Sequence, residues 1–187
     1  MRIALASLAV LLAAVGCKSE EAKGPAASKP AVAVQIPAPG GPAAAVPADF
    51  VLKAEPEGAK DLVAVKAAAA AGDDVVARCV LGGTEQPFGG QWATVQVIDP
   101  TVMTCNKMGM ADCPTPWDAC CHQKEAKAKG ASVRVVGADG KPLAGTLQGV
   151  GGMKPGSEVV VKGKAKFEGD GEKKSLVIEA SNVWVKG

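Results

Sequence analysis

The clearest alternation in the chain runs from Glu158 to Phe167, EVVVKGKAKF. Val159, Val161, Gly163, Ala165 and Phe167 fall on one face, and Lys162, Lys164 and Lys166 on the other. A period of two is the mark of a strand with one face buried. The same rule reads VVARCVLGG, from Val75, as a strand with Ala77, Cys79 and Leu81 inward and Arg78 in water. ATVQVI (93–98) turns Val95 and Val97 inward and Thr94 and Gln96 outward, and Asp99-Pro100 ends it. Ser132 to Val135 repeats the pattern with Val133 and Val135. In SLVIEASNVWV (175–185), Leu176, Ile178 and Ala180 keep one phase while Val183 and Val185 keep the other, so a bulge near Ser181-Asn182 is expected. Asp139-Gly140 is a hairpin signal, with 141–147 as a return strand or ribbon arm. Upstream, AKDLVAVKAAAAA (59–71) has the propensity of a short helix with Leu62, Val63 and Val65 on its apolar side.

Five short strands in this span close most economically on themselves, which hides their edges. The expected fold class is therefore all-β: a five-stranded barrel preceded by a short helix, with a two-sheet sandwich as the other arrangement. The longest irregular stretch, 101–125, interrupts the strands. It holds four of the six cysteines, the only histidine and three of the five methionines, with neither helical nor strand period. A segment of that length inside a domain is functional, disordered or internally stapled.

The N-terminus changes the picture. Met1-Arg2-Ile3 and the apolar run to Gly16 have the layout of a secretory signal, too short for a stable membrane span. Ala14-Val15-Gly16-Cys17 resembles the lipobox of bacterial lipoproteins, which implies cleavage after residue 16 and lipid on Cys17. Residues 17–58 hold seven prolines among Ala, Gly, Lys and Glu and read as a disordered tether, although Phe50 offers one apolar residue that could dock. The domain then spans 59–187. This organisation predicts an exported chain held by lipid at the cell membrane or outer membrane, facing the periplasm or exterior, where disulfides persist. The net charge of the whole sequence is only +2, without a basic block, so no nucleic-acid partner is expected.

The span Gly72 to Val185 resembles bacterial OB-fold domains related to the tRNA-anticodon-binding group, through GDDVVARCVLGG, MKPGSEVVVKGKAKF and SLVIEASNVWV. CPTPWDACC (113–121) is similar to a segment of planctomycete-like exported proteins. The resemblance implies an OB-type barrel on an envelope lipoprotein and supplies no activity. Base stacking by such barrels needs exposed aromatics. The chain has no tyrosine, and its strand aromatics are mainly Phe167 and Trp184.

The cysteines admit three readings. With Cys17 lipidated and Cys79 on a core face, Cys105, Cys113, Cys120 and Cys121 remain, an even number that suggests two disulfides. Bonding of adjacent Cys120 and Cys121 to each other ranks lowest, because the geometry is strained. Alternatively, Cys105, Cys113, Cys120 and His122 could provide a tetrahedral set for zinc, or for copper with Met103, Met108 and Met110 nearby. The third reading is an exchange-active thiol pair, Cys120-Cys121, beside His122. Trp117 packs over the cysteine loop or presents itself to a partner. With no GxSxG, P-loop, HExxH or second histidine, no catalytic site is expected, and no cofactor beyond the alternative metal. The functional expectation is a membrane-anchored, OB-like binding or structural domain, with membrane lipid and an envelope protein as partners. Soft-metal binding and thiol redox chemistry are its alternatives.

Overall fold

The computed structural model describes residues 41–110, 112–171 and 174–187. The signal-like run and Cys17 lie outside the described residues. In chain order the elements are β1 (Lys60–Asp61), α1 (Leu62–Ala68), β2 (Asp74–Leu81), β3 (Thr94–Ile98), a 3₁₀ turn (Cys120–His122), α2 (Gln123–Ala128), β4 (Gly130–Arg134), β5 (Glu158–Glu168) and β6 (Ser175–Val185). A glycine-rich 3₁₀ turn, Val150–Gly152, precedes β5.

All six strands belong to one sheet, ordered β1-β2-β3-β4-β6-β5, with β2 also paired to β5. The β1–β2 and β4–β6 pairs are parallel and the rest antiparallel. Along one edge, β2 pairs with β5 from Asp74↔Lys164 to Val80↔Glu158. Its other edge is divided: β1 takes Ala77 and Arg78, and β3 takes only Val80 and Leu81.

The expected all-β, five-stranded OB-type barrel is thus corrected to a mixed α/β fold on a six-stranded sheet. The short parallel strand β1 occupies edge that a full β2–β3 ladder would need, and two α-helices pack with the strands. The expectation of an OB-like domain is corrected with it. No helix among the described residues is long and apolar enough to cross a membrane.

Alternation located β2 to β6 because each of these has one face in the main core. Ala77, Cys79 and Leu81 of β2, Val95 and Val97 of β3, Val133 of β4, Val159, Val161 and Ala165 of β5, and Leu176, Ile178 and Ala180 of β6 are all buried. The change of phase in β6 is a bulge. Lys162 faces Asn182 while the next residue, Gly163, faces Ala180, which leaves Ser181 as the extra residue. Gly163 is required there, because a Cβ would sit 2.2 Å from the Glu179 carbonyl oxygen. Two of the three outward lysines find acids: Lys164 meets Asp74 at 3.0 Å and Lys166 meets Glu179 at 2.9 Å. Glu179 also receives Arg134 at 3.0 Å. Residues 141–147 form isolated bridges, Val136↔Pro142, Trp92↔Ala144 and Ala43↔Thr146, instead of a return strand.

Residues 41–58, read in the sequence as the end of a tether, lie along the domain. Val51 bridges to Val183, the Val183 N–H donates to the Phe50 carbonyl at 2.7 Å, and the Leu52 N–H donates to the Val183 carbonyl at 2.8 Å. The Phe50 ring is 1% exposed within the main core. Burial of a ring of that size stabilises by roughly 1.5–3 kcal/mol, enough to hold a proline-rich segment that has no regular structure of its own.

Helix α1 is short, and its own N-cap residue, Asp61, makes no side-chain cap bond. The missing acceptor comes from another element. Asp99, just beyond β3 and 1% exposed, accepts the Val63 N–H at 2.9 Å on Oδ2. Its Oδ1 accepts the Thr101 N–H at 2.9 Å and the Thr101 hydroxyl at 2.7 Å. Burial alone would raise the Asp99 pKa, but the Thr101 hydroxyl, the Val63 and Thr101 amides and the charge of Lys129 together hold it below the ordinary value. At the other end of α1, Lys66 donates to the carbonyls of Ala128 and Gly130 at 2.8 and 3.0 Å, joining α1 to the end of α2.

Asp99→Ala strands three donors around a buried site and is expected to destabilise the fold by roughly 2–3 kcal/mol in denaturant titration. Because the Asp99 pKa is depressed on folding, its contribution is present above the ordinary aspartate value. It is lost as pH falls below about 4, so the wild type loses stability in acid more steeply than Asp99→Ala.

Candidate functional site

The cysteine-rich segment folds against the outer side of the sheet. Ile98, Val102, Ala119 and Ala126 form a second buried cluster, with Val80 packed against it. β3 therefore ends with both faces covered: Val97 turns to the main core and Ile98 to this second layer. Main-chain bonds close the segment on itself. The Cys105 N–H donates to the Asp118 carbonyl and the Asn106 N–H to the Pro116 carbonyl, each at 2.9 Å, and Met110 N–H returns to the Cys105 carbonyl at 3.1 Å. Lys107 Nζ donates to the carbonyls of Pro100 and Val102.

Trp117 is the anchor. It is 4% exposed, and its indole N–H donates to the Glu85 carbonyl at 3.0 Å. Its own carbonyl accepts the Gly83 N–H at 2.9 Å. Gly82 permits this approach, since a Cβ there would lie 2.6 Å from the Trp117 oxygen. Of its two expected roles, Trp117 fills the packing one. It seats the segment on the turn that follows β2.

This framework brings together the four cysteines singled out in the sequence. The Sγ atoms of Cys105 and Cys120 are 3.5 Å apart, and those of Cys120 and Cys121 are 3.7 Å apart. Cys113 lies near enough for its charge to be felt at Cys105 and Cys121, and its Sγ is 3.8 Å from Thr115 Oγ1. All four are free thiols, as is Cys79. The expected disulfides among Cys105, Cys113, Cys120 and Cys121 are thus corrected: a bonded pair requires about 2.05 Å. Hydrogen bonds and the second apolar layer hold the segment, so it keeps its shape without a covalent staple.

The thiols differ sharply in environment. Cys105 is fully buried; Cys113 is half-buried, and Cys120 and Cys121 are exposed. Burial, followed by the neighbouring sulfurs of Cys113 and Cys120, pushes the Cys105 thiol up to about 12. Cys113 is shifted the other way. Its surroundings at Thr115, and then at Cys105, favour the anion and lower its pKa, against burial and the charge of Asp118. Cys121 is raised by the adjacent Cys120. Cys79 stands apart in the main core, pushed up to about 12 by burial and then by Asp99.

His122 is not brought to the sulfurs as a ligand would be: its Nδ1 faces Glu125 Oε2 at 3.7 Å. Among the described residues no group of three or more His, Cys, Asp or Glu side chains is arranged to hold a metal ion. The alternative zinc or copper set of Cys105, Cys113, Cys120 and His122 is therefore not assembled. Thr115 is the participant that sequence reasoning missed. Its signal was a hydroxyl two residues after Cys113, between two prolines that hold the backbone extended. A groove of about 610 Å³ runs past α2, with walls that include Glu85, Gln96, Ile98, Asp118, Gln123 and Ala126 and none of the four cysteines.

Replacing Trp117 separates packing from hydrogen bonding. Trp117→Phe leaves the Glu85 carbonyl without its donor and is expected to cost about 1 kcal/mol. Trp117→Ala empties the seat and is expected to cost roughly 3–5 kcal/mol. Denaturant unfolding read by circular dichroism checks that order, with the alanine variant also speeding alkylation of Cys105.

Comparison of the chain with protein-family models, with curated proteins and with solved structures finds no match. The resemblance to OB-fold domains of planctomycete-like lipoproteins is corrected accordingly: neither the comparisons nor the sheet supports it.

Proposed function

We propose that the chain is a thiol redox module in which the four-cysteine cluster exchanges dithiol and disulfide with a disulfide-bearing partner. One observation carries this reading: Cys105 and Cys120, distant in sequence, hold their free sulfurs 3.5 Å apart within a segment anchored to the sheet. Sulfurs at that separation need to approach by about 1.5 Å to bond. The change is within reach of side-chain rotation and a small loop shift.

The reaction is a two-electron exchange. Two protein thiols and one partner disulfide give a protein disulfide and two partner thiols. Attack is by a thiolate on a disulfide sulfur, so it depends on access and on thiolate fraction. The cluster supplies both, with exposed sulfurs at Cys120 and Cys121 and a sulfur with lowered pKa at Cys113. An extracytoplasmic setting, which the signal-like N-terminus favours, would supply such partners.

Equilibration of the full chain in graded glutathione buffers, followed by alkylation and intact mass, tests the proposal. The expected result is a reversible loss of two alkylatable thiols over a narrow span of potential, abolished in Cys105→Ser. Thiols that stay fully alkylatable at every potential would overturn it. So would a disulfide that resists reduction until the domain is unfolded.

A further inference from the structure

The sulfurs of the cluster differ in how they can be reached and in which neighbour they meet. Cys120 opens the 3₁₀ turn Cys120–His122 and is exposed, yet its Sγ lies 3.5 Å from that of Cys105, which is fully buried. The backbone is held beside both sulfurs by one residue. The Asp118 carbonyl accepts the Cys105 N–H at 2.9 Å, and its carboxylate accepts the N–H of Ala119, the buried residue before Cys120, at 2.7 Å. Cys105 is held again by the Met110 N–H, which donates to its carbonyl at 3.1 Å. Cys120 thus carries an open sulfur on a fixed backbone, directly against a closed one.

Resting on the redox reading above, we infer that Cys120 is the sulfur that attacks the partner disulfide and that Cys105 resolves the mixed disulfide from behind it. In the first step Cys120 gives its proton to water and its thiolate attacks one partner sulfur. A Cys120–partner bond forms, the partner's sulfur–sulfur bond breaks, and the second partner sulfur leaves as a thiolate that takes a proton from water. In the next step Cys105 attacks Cys120 Sγ. The Cys105–Cys120 bond forms, the Cys120–partner bond breaks, and the first partner sulfur leaves with the proton that Cys105 gives up. The sum is one partner disulfide reduced to two thiols and two protein thiols oxidised to one disulfide.

Access and strain together select this pair. Exchange requires that the attacking sulfur reach the partner, which the buried Cys105 cannot do first. Displacement at sulfur is in line, so the attacking and leaving sulfurs stand on opposite sides of the one attacked. A partner arriving from solvent at Cys120 leaves the protein side of that sulfur to Cys105. Cys121 is exposed as well, but the sulfur it meets is that of its chain neighbour Cys120, at 3.7 Å. Its mixed disulfide would resolve into a bond between adjacent residues, whose Cα atoms, about 3.8 Å apart, are closer than the usual range of roughly 4.4–6.8 Å. Cys105 and Cys120 are 15 residues apart and carry no such restriction. Cys113 is half-buried, with less access than Cys120, and its Sγ lies 3.8 Å from Thr115 Oγ1.

The test uses the reduced full chain and glutathione disulfide as the partner. Cys105→Ser is expected to accumulate a glutathione adduct on Cys120, located by peptide mass analysis, since the resolving sulfur is gone. More adduct on Cys113 or Cys121 than on Cys120 would overturn the assignment. Cys120→Ser changes an exposed position and keeps the test decisive even if Cys105→Ser folds poorly. Release of the first glutathione is expected to slow at least about fivefold in that variant. Release at the wild-type rate would overturn the assignment, because the first attack would then come from another sulfur. The two readings fail differently. A wild type that takes no oxidising equivalents from glutathione disulfide removes the redox reading itself. A wild type that forms the Cys105–Cys120 disulfide, with the adduct of Cys105→Ser on another cysteine, removes only the order of attack.

Discussion

A single buried carboxylate ties the structure together. Asp99 sits where β3 ends and the cysteine-rich segment begins, and it bonds to the first turn of α1, to Thr101 and, through charge, to Lys129. A buried anion is costly unless its oxygens are satisfied. Here each oxygen has a donor, and those donors come from separate stretches of chain. The helix gains an acceptor for one of its unpaired amides, the loop gains a defined first turn, and α2 is drawn in from its far end. Lys66 closes the circuit by bonding the carbonyls where α2 meets β4. Because the helices are too short to persist by propensity alone, this exchange of caps accounts for their presence on the sheet.

The same frame explains how free thiols stay clustered. Four sulfurs within one short segment would ordinarily be free to diffuse apart in a loop or to bond at random. The segment cannot wander, because Trp117 is seated on the β2 turn and Ala119 and Val102 are buried against Ile98. Its interior bonds, Cys105 to Asp118 and Asn106 to Pro116, fix where Cys105 sits relative to Cys120. The apolar layer thus does what a pair of disulfides was expected to do, and the sulfurs remain available for chemistry.

Much of the sheet was legible because burial of one face imposes a period of two. Cys79, Val95, Val161 and Ile178 all face the core as their positions suggested. The bulge at Ser181 was announced by the change of phase in β6. β1 left no trace, since two residues cannot show a period, and its presence changes how the β2 edge is used. The placement of Phe50 was hidden by its proline-rich surroundings, where a lone aromatic was the one available sign. Within the site, the clustering of the cysteines was readable from their density. Their unbonded state was not, because it depends on how Trp117 is seated on Gly83 and Glu85 and Asp99 on α1, contacts with residues far away in sequence. Thr115 was harder to read, since a hydroxyl two residues from a cysteine is a weak sign until the fold brings it to 3.8 Å from the sulfur.

The doubly covered end of β3 has a consequence for strand registration. Alternation normally fixes alignment, because a slip of one residue would carry the apolar set into water. Val97 and Ile98 are both apolar and both buried, so at that end a slip would meet little hydrophobic resistance. What resists it is a polar pin one residue on. Sliding the strand would pull the Asp99 carboxylate away from the amides that neutralise it, leaving bare charge in an apolar wall. Alignment of β3 with its neighbours is therefore enforced electrostatically at the point where hydrophobic patterning falls silent.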